Sequence, residues 1–278
     1  MYGNFEVRFS FSIRQRIDYL NAHKATHPLA ADVDIVGGLH VIKPLILCKL
    51  RADPVGGHGL LRVMTANIDI TGLKHTLTEA KSSFAPAMIY LLAAEVNRHE
   101  EFRTSMDEEG RVGVFDTMHP SYAVFHKEAE TFSCLWTQFD SDYRTFLQNY
   151  DHDIQQYGAM LGIAPKPDMP SNVFDISNIP WTSFSGFNLN LPKGAAYLLP
   201  IFTLGKYFRQ DDRLLLPISV QVHHAVCDGF HVCRFLNELQ EQADRFERLN
   251  DIDCSKCICS DIGRNENTVN NGIDGVKQ

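Results

Sequence analysis

Gln221-Val222-His223-His224-Ala225-Val226-Cys227-Asp228-Gly229-Phe230 decides how the chain reads. An apolar strand pattern, Leu214 to Val222, runs into it. An amphipathic helix pattern, Phe230 to about Phe246, runs out of it. Two histidines and an Asp-Gly between a buried strand and a helix put polar side chains at the end of a rigid element. A scaffold of that kind can hold a base in fixed geometry. Histidine is the side chain best suited to take a proton near neutral pH.

The totals narrow what such a base could serve. The chain has 278 residues and a net charge of -8, so no basic surplus exists to neutralise phosphates, and general nucleic-acid binding is not expected. The first twenty residues hold Arg8, Arg14 and Arg16 without an apolar run of signal length, so no secretory leader is expected. No stretch approaches the ~20 apolar residues of a membrane span. Seven cysteines, an odd number set largely in apolar stretches, fit a reducing compartment better than a disulfide framework. Cys254, Cys257 and Cys259 form the one cluster, but it lacks the second ligand pair of a structural zinc site, and no metal is expected.

Outward from the histidines, the periods are readable from about Arg62 onward. Met64 to Ile70 alternates as a strand. Helices follow at Leu73 to Lys81 and Pro86 to Arg98, the second apolar over most of its circumference. Arg111 to Asp116, Tyr122 to His126 and Thr131 to Gln138 read as strands, with a break at His119-Pro120. Asp140 to about Met160 reads as a helix with Ser141 as N-cap. Val173 to Ile179, Gly186 to Leu191, Leu198 to Phe208 and Arg213 to Val222 read as strands, the last two a hairpin about Gln210-Asp211-Asp212. The final helix carries Phe230, Cys233, Phe235, Leu236 and Leu239. Interspersed strands and helices, with strands in excess, give an α+β fold: a mixed, mostly antiparallel sheet with helices on one face. Residues 1–60 show no sustained period, and the polar stretch 249–278 is expected to be disordered.

The segment Gln221 to Glu241, "QVHHAVCDGFHVCRFLNELQE", closely resembles the carboxyl-terminal signature of chloramphenicol acetyltransferases. Met64 to Thr71 ("MTANIDIT"), His119 to Trp136, Ile179 to Leu191 ("IPWTSFSGFNLNL") and Leu198 to Tyr207 resemble the same family in the same order. The resemblance implies a CoA-dependent acyltransferase-like domain over 61–248. It implies a bacterial cytoplasmic homotrimer with active sites at subunit interfaces. The implied reaction moves acetyl from acetyl-CoA to the primary hydroxyl of chloramphenicol, conferring resistance.

Residue by residue, the resemblance makes His224 the general base and Ser177 the oxyanion donor. Asp228 becomes structural support for the histidine turn, paired with an arginine. Phe132, Phe187, Leu189 and Ile201 match acceptor-pocket positions, and Thr203 a threonine that holds a water. Trp181 and Tyr207 match positions near CoA, and Lys206 a lysine near its phosphates. The amino-terminal arm departs from the family. Leu47 and Leu60 stand where an arginine and a cysteine are usual, Lys49 and Arg51 are the nearest bases, and Ala85 and Ala164 replace aromatics. That departure leaves open an altered acceptor or a non-catalytic relative.

Overall fold

A computed structural model describes residues 61–106, 112–190 and 197–246, together with the backbone of 34–36 and 39–42. The remainder of the arm, including Leu47, Lys49, Arg51 and Leu60, and the stretch with Cys254, Cys257 and Cys259 lie outside the described residues.

In chain order the elements are β1 (Asp34–Val36), β2 (Leu39–Ile42), β3 (Leu61–Asp69), α1 (Thr71–Glu79), α2 (Phe84–Arg98), β4 (Thr104–Met106), β5 (Val112–Phe115) and β6 (His119–His126). There follow β7 (Thr131–Trp136), α3 (Tyr143–Tyr157), β8 (Val173–Ile179), β9 (Ile201–Gly205), β10 (Phe208–Gln210), β11 (Arg213–His223) and α4 (Gly229–Asp244). The main sheet runs β3, β11, β9 with β10, β8, β6, β7; only the β6–β8 and β8–β9 pairs are parallel. The mixed, mostly antiparallel sheet expected from the sequence is therefore present. A second, four-stranded antiparallel sheet, β1-β2-β5-β4, was not expected; its first two strands come from the segment without a readable period.

β11 shows how the sequence builds the centre. Ile218, Val220 and Val222 are buried towards the helices. Pro217, Ser219 and Gln221 alternate with them and point to the other face. Pro217 has no N–H to donate, and the ladder on the β9 and β10 side of the strand breaks beside it, while the β3 side continues through it. β9 pairs with Ile218 to Gln221 and β10 with Arg213 to Leu215, the register slipping by one residue at Lys206-Tyr207. The single strand expected over 198–208 is thus two strands joined by a bulge.

The helix side holds the core. Phe235 of α4 stacks on Phe202 of β9 at 5.1 Å, and Phe202 meets Phe174 of β8 at 5.7 Å. Burying these rings, at ~25 cal/mol per Å² of apolar surface, anchors α4 to the sheet. The buried stripe of α4 is His231, Val232, Phe235, Leu236, Leu239 and Ala243. Phe230 and Cys233, read above with the apolar stripe, face outward instead. The N-cap of α3 is Asp142, not Ser141: the Asp142 carboxylate accepts from Thr145 N at 3.2 Å and Thr145 Oγ1 at 2.9 Å. Carboxylate and hydroxyl both cap well, so adjacent Ser and Asp cannot be ranked from composition. No helix among the described residues is long and apolar enough to cross a membrane.

Candidate active site

β11 ends at His223, and the chain turns before α4 begins. Val226 N and Cys227 N both bond His223 O, at 3.1 and 3.0 Å, and Ala225 N donates to His223 Nδ1 at 3.1 Å. His223 therefore spends its ring on the turn. Burial, and then the neighbouring His224, hold it below the ordinary histidine range, which suits a neutral ring accepting a bond. His224 differs. Its Nδ1 is buried and makes no hydrogen bond. With Nδ1 enclosed, Nε2 is the nitrogen left to meet an incoming hydroxyl.

Asp228 caps α4. Its carboxylate accepts from Phe230 N at 3.0 Å and lies 2.9 Å from His231 Nδ1, which in turn faces Asp228 N at 3.1 Å. This reciprocal capping box fixes where the helix starts, and so where the histidine turn stands. Since His224 Nδ1 bonds nothing, the two do not form a carboxylate–imidazole couple. The arm position where an arginine partner of Asp228 is usual, occupied here by Leu47, lies outside the described residues.

Ser177, Thr203 and Ser219 form one row across β8, β9 and β11, and Thr65 of β3 continues it. The row carries small hydroxyl side chains on the face away from the helices, and Thr203 is buried within it. Ser177 is half-buried. The register sets Ser177 two strands from β11 and level with Ser219, four residues before its end. At ~4.8 Å per strand and ~3.3 Å per residue, its Cα lies roughly 16 Å from that of His223. Within one copy, Ser177 and the His224 turn do not meet.

The expected strand Gly186 to Leu191 is not formed over its described residues 186–190; the segment is a strap with side-chain anchors. Ser219 Oγ donates to Phe187 O at 2.5 Å, and Leu189 N donates to Gln221 Oε1 at 2.8 Å. Phe184 lies against Gly205, where an added Cβ would come within 2.7 Å of its ring. Gly205 is therefore required by a close approach, not by its backbone angles. Among the acceptor-pocket positions, Phe187 and Leu189 belong to this strap, and Ile201 is buried on β9 in the row of Asp175 and Gln221. Phe132 stands apart. It is 45% exposed, at 5.1 Å from Phe125, and both rings meet Trp181, at 6.2 and 4.8 Å.

Of the positions matched to CoA contacts, Trp181 and Lys206 are neighbours, because Lys206 N bonds Thr182 O at 2.9 Å. Both side chains are exposed. Tyr207, next along the bulge, packs instead against Phe84 at 6.3 Å, with Lys74 Nζ 5.3 Å from its ring. Phe125, Ser219 and Gln221 were not singled out from the sequence. The period-two alternation of Pro217, Ser219 and Gln221 with Ile218, Val220 and Val222 was the available signal for the last two.

A separate polar cluster lies between α2 and α4. Glu95, His99 and Glu238 bring three ligand-type atoms within 4.8 Å of one another. Their carboxylates also take Arg98, at 3.3 and 3.5 Å, and Gln242 bonds Glu95. That is the pattern of an ion-pair network stapling two helices. Burial pushes the Glu95 carboxyl above the ordinary glutamate range. Burial works the same way on Glu238, but its bonds to Glu95 and His99 outweigh it and hold that group low. Of the two carboxyls, Glu95, the fully buried one, is thus the one that holds its proton to higher pH. Above the ordinary glutamate value the native state binds more protons than the unfolded chain, so this contribution to stability is lost as pH rises. We expect Glu95→Gln to flatten the fall in the urea midpoint as pH rises above the ordinary glutamate range. Parallel wild-type and variant profiles would count against that assignment.

The chloramphenicol acetyltransferase family model matches residues 61–240. A chloramphenicol acetyltransferase of Campylobacter coli is 57% identical over 178 residues, 64% of this chain and 84% of that protein. One from Clostridium perfringens is 53% identical over 184 residues, 66% of this chain and 84% of the relative. Among solved structures, a chloramphenicol acetyltransferase superposes with a TM-score of 0.62 at 21% identity, covering 70% of this chain and 92% of that one. The truncated catalytic core of the 2-oxoacid dehydrogenase multienzyme complex from Thermoplasma acidophilum shares the fold at a TM-score of 0.52 and 13% identity, covering 86% of this chain and 98% of that one.

Proposed function

The chain belongs to the chloramphenicol acetyltransferase family, and on that premise we propose that it moves an acetyl group from acetyl-CoA to the primary hydroxyl of chloramphenicol. The observation that carries the chemistry is the state of His224: held on a bonded turn, with Nδ1 enclosed and no carboxylate bonded to it among the described residues. Nε2 takes the hydroxyl proton as the oxygen attacks the thioester carbonyl. Ser177 Oγ donates to the oxyanion that forms, a contact of a kind worth ~3 kcal/mol. The intermediate collapses, the carbon–sulfur bond breaks, and the imidazolium returns its proton to the departing thiolate. Acetyl ester and free CoA thiol are the products, and the base is regenerated.

The distance between Ser177 and the His224 turn supports a site completed by a second copy, in a homotrimer of this chain. Base and oxyanion donor then come from different subunits. The exposed rings of Phe132 and Trp181 are of the kind a neighbour or a bound acceptor covers. Trp181 and the Lys206 cation offer an aromatic face and a charge suited to a nucleotide thioester carrying phosphates. Such an enzyme works in the bacterial cytoplasm and confers resistance to the drug.

The direct test follows free thiol in a mixture of protein, acetyl-CoA and chloramphenicol. Release that requires both substrates is expected. Thiol released without chloramphenicol, or no release with both present, would overturn the reading.

A further inference from the structure

We infer that Ser219 and Gln221 are positioning residues that set how tightly the acceptor binds, by holding the strap 184–190 in register with β11. The inference rests on the acetyl-transfer reading above. Three successive outward positions of β11 each meet the strap. Pro217 shares with Phe184 the space over Gly205. Ser219 Oγ bonds Phe187 O, and Gln221 Oε1 takes Leu189 N. Strap and strand therefore advance together, two or three strap residues for every two on the strand. Phe187 and Leu189, the acceptor-pocket positions on the strap, sit on the two side-chain anchors.

The chemistry of Gln221 argues for positioning over packing. Its side chain is 4% exposed, and while Oε1 is satisfied, Nε2 is buried and bonds nothing. A buried amide donor without a partner is destabilising, so an apolar side chain of like size would serve the core as well or better. What an apolar side chain cannot do is accept from Leu189 N. Ser219 is likewise a buried hydroxyl whose bond goes to a backbone carbonyl of the strap. Neither group touches the reacting atoms. Their effect reaches the acceptor through the placement of Phe187 and Leu189, and only then its affinity. Both anchors lie on β11, which ends at His223, one residue before the base.

The test compares Gln221→Met, Ser219→Ala and Ser219→Thr with wild type, by steady-state kinetics, thermal melting and amide exchange. Gln221→Met and Ser219→Ala are expected to raise the KM for chloramphenicol about tenfold, the value of one lost hydrogen bond. Their kcat and their KM for acetyl-CoA stay within about twofold, and Tm does not fall with Gln221→Met. Ser219→Thr, which keeps the hydroxyl, restores the acceptor KM. The Leu189 amide exchanges faster in Gln221→Met. Unchanged Leu189 exchange, or faster exchange with an unchanged acceptor KM, overturns the inference. A wild-type protein that turns over no chloramphenicol removes the parent reading by itself. In that case, equilibrium binding of chloramphenicol to wild type and Gln221→Met replaces KM, and equal affinities overturn the inference.

Discussion

Alanine in place of His224 is expected to lower kcat for acetyl transfer by about ten-thousand-fold, the upper range for loss of a general base. Both KM values stay near wild type, since the imidazole acts on the proton and not on ground-state binding. Stability is not expected to fall. His224 Nδ1 makes no hydrogen bond, so removing the ring orphans no partner there. His223→Ala is the contrasting control. It removes the acceptor of Ala225 N and loosens the turn, so it should lower Tm while leaving a base in place. Thiol release and melting, run on both variants, check the pair. A His224→Ala enzyme within tenfold of wild type would remove the base from this residue. A His223→Ala enzyme as inactive as His224→Ala, with unchanged Tm, would put the roles the other way round.

What separates these two adjacent histidines could not be read from their neighbours. The dipeptide at a strand end was legible, because an apolar run, a turn and an amphipathic stripe are local patterns. Which ring is consumed by the turn depends on backbone geometry, and only the bond from Ala225 N shows it. The sheet was legible wherever a strand alternates, as in Val173 to Ile179, whose expected limits match β8. It misled at 186–190. That segment alternates phenylalanine and leucine with small or polar residues, as a strand does, yet its partners are the side chains of Ser219 and Gln221 instead of a backbone ladder. Alternation reports that one side is covered, not what covers it. The bulge at Lys206-Tyr207 was hidden for a related reason. Its cause, Pro217, lies on the opposing strand, and register is a property of the pair. Ser177 and Asp228 were legible as residues. Their surroundings were not: a hydroxyl row across three strands and a helix cap are contacts made at long sequence separation or by geometry.

Ser177→Ala and His224→Ala, each nearly inactive alone, are expected to recover activity when unfolded together and refolded as mixed oligomers. Losing one oxyanion donor leaves about one part in a hundred of wild-type turnover. Losing the base leaves less. With the strand register keeping Ser177 and the His224 turn roughly 16 Å apart in one copy, a site drawing its base from one subunit and its donor from the next can be whole in a mixed oligomer. The intact site pairs a Ser177→Ala copy, which still has His224, with a His224→Ala copy, which still has Ser177. In an equal mixture closed by cyclic symmetry, roughly a quarter of the interfaces have that order. Thiol release should then rise to about a quarter of wild type, far above either variant alone, and follow the product of the two fractions as the mixing ratio changes. A double variant carrying both substitutions, mixed with wild type, sets the opposite limit: intact sites need two wild-type copies in sequence, so activity follows the square of the wild-type fraction. If differently tagged copies co-purify and yet no mixture exceeds the sum of its parts, base and donor belong to the same subunit. The sheet would then have to bend enough to bring Ser177 to the histidine turn.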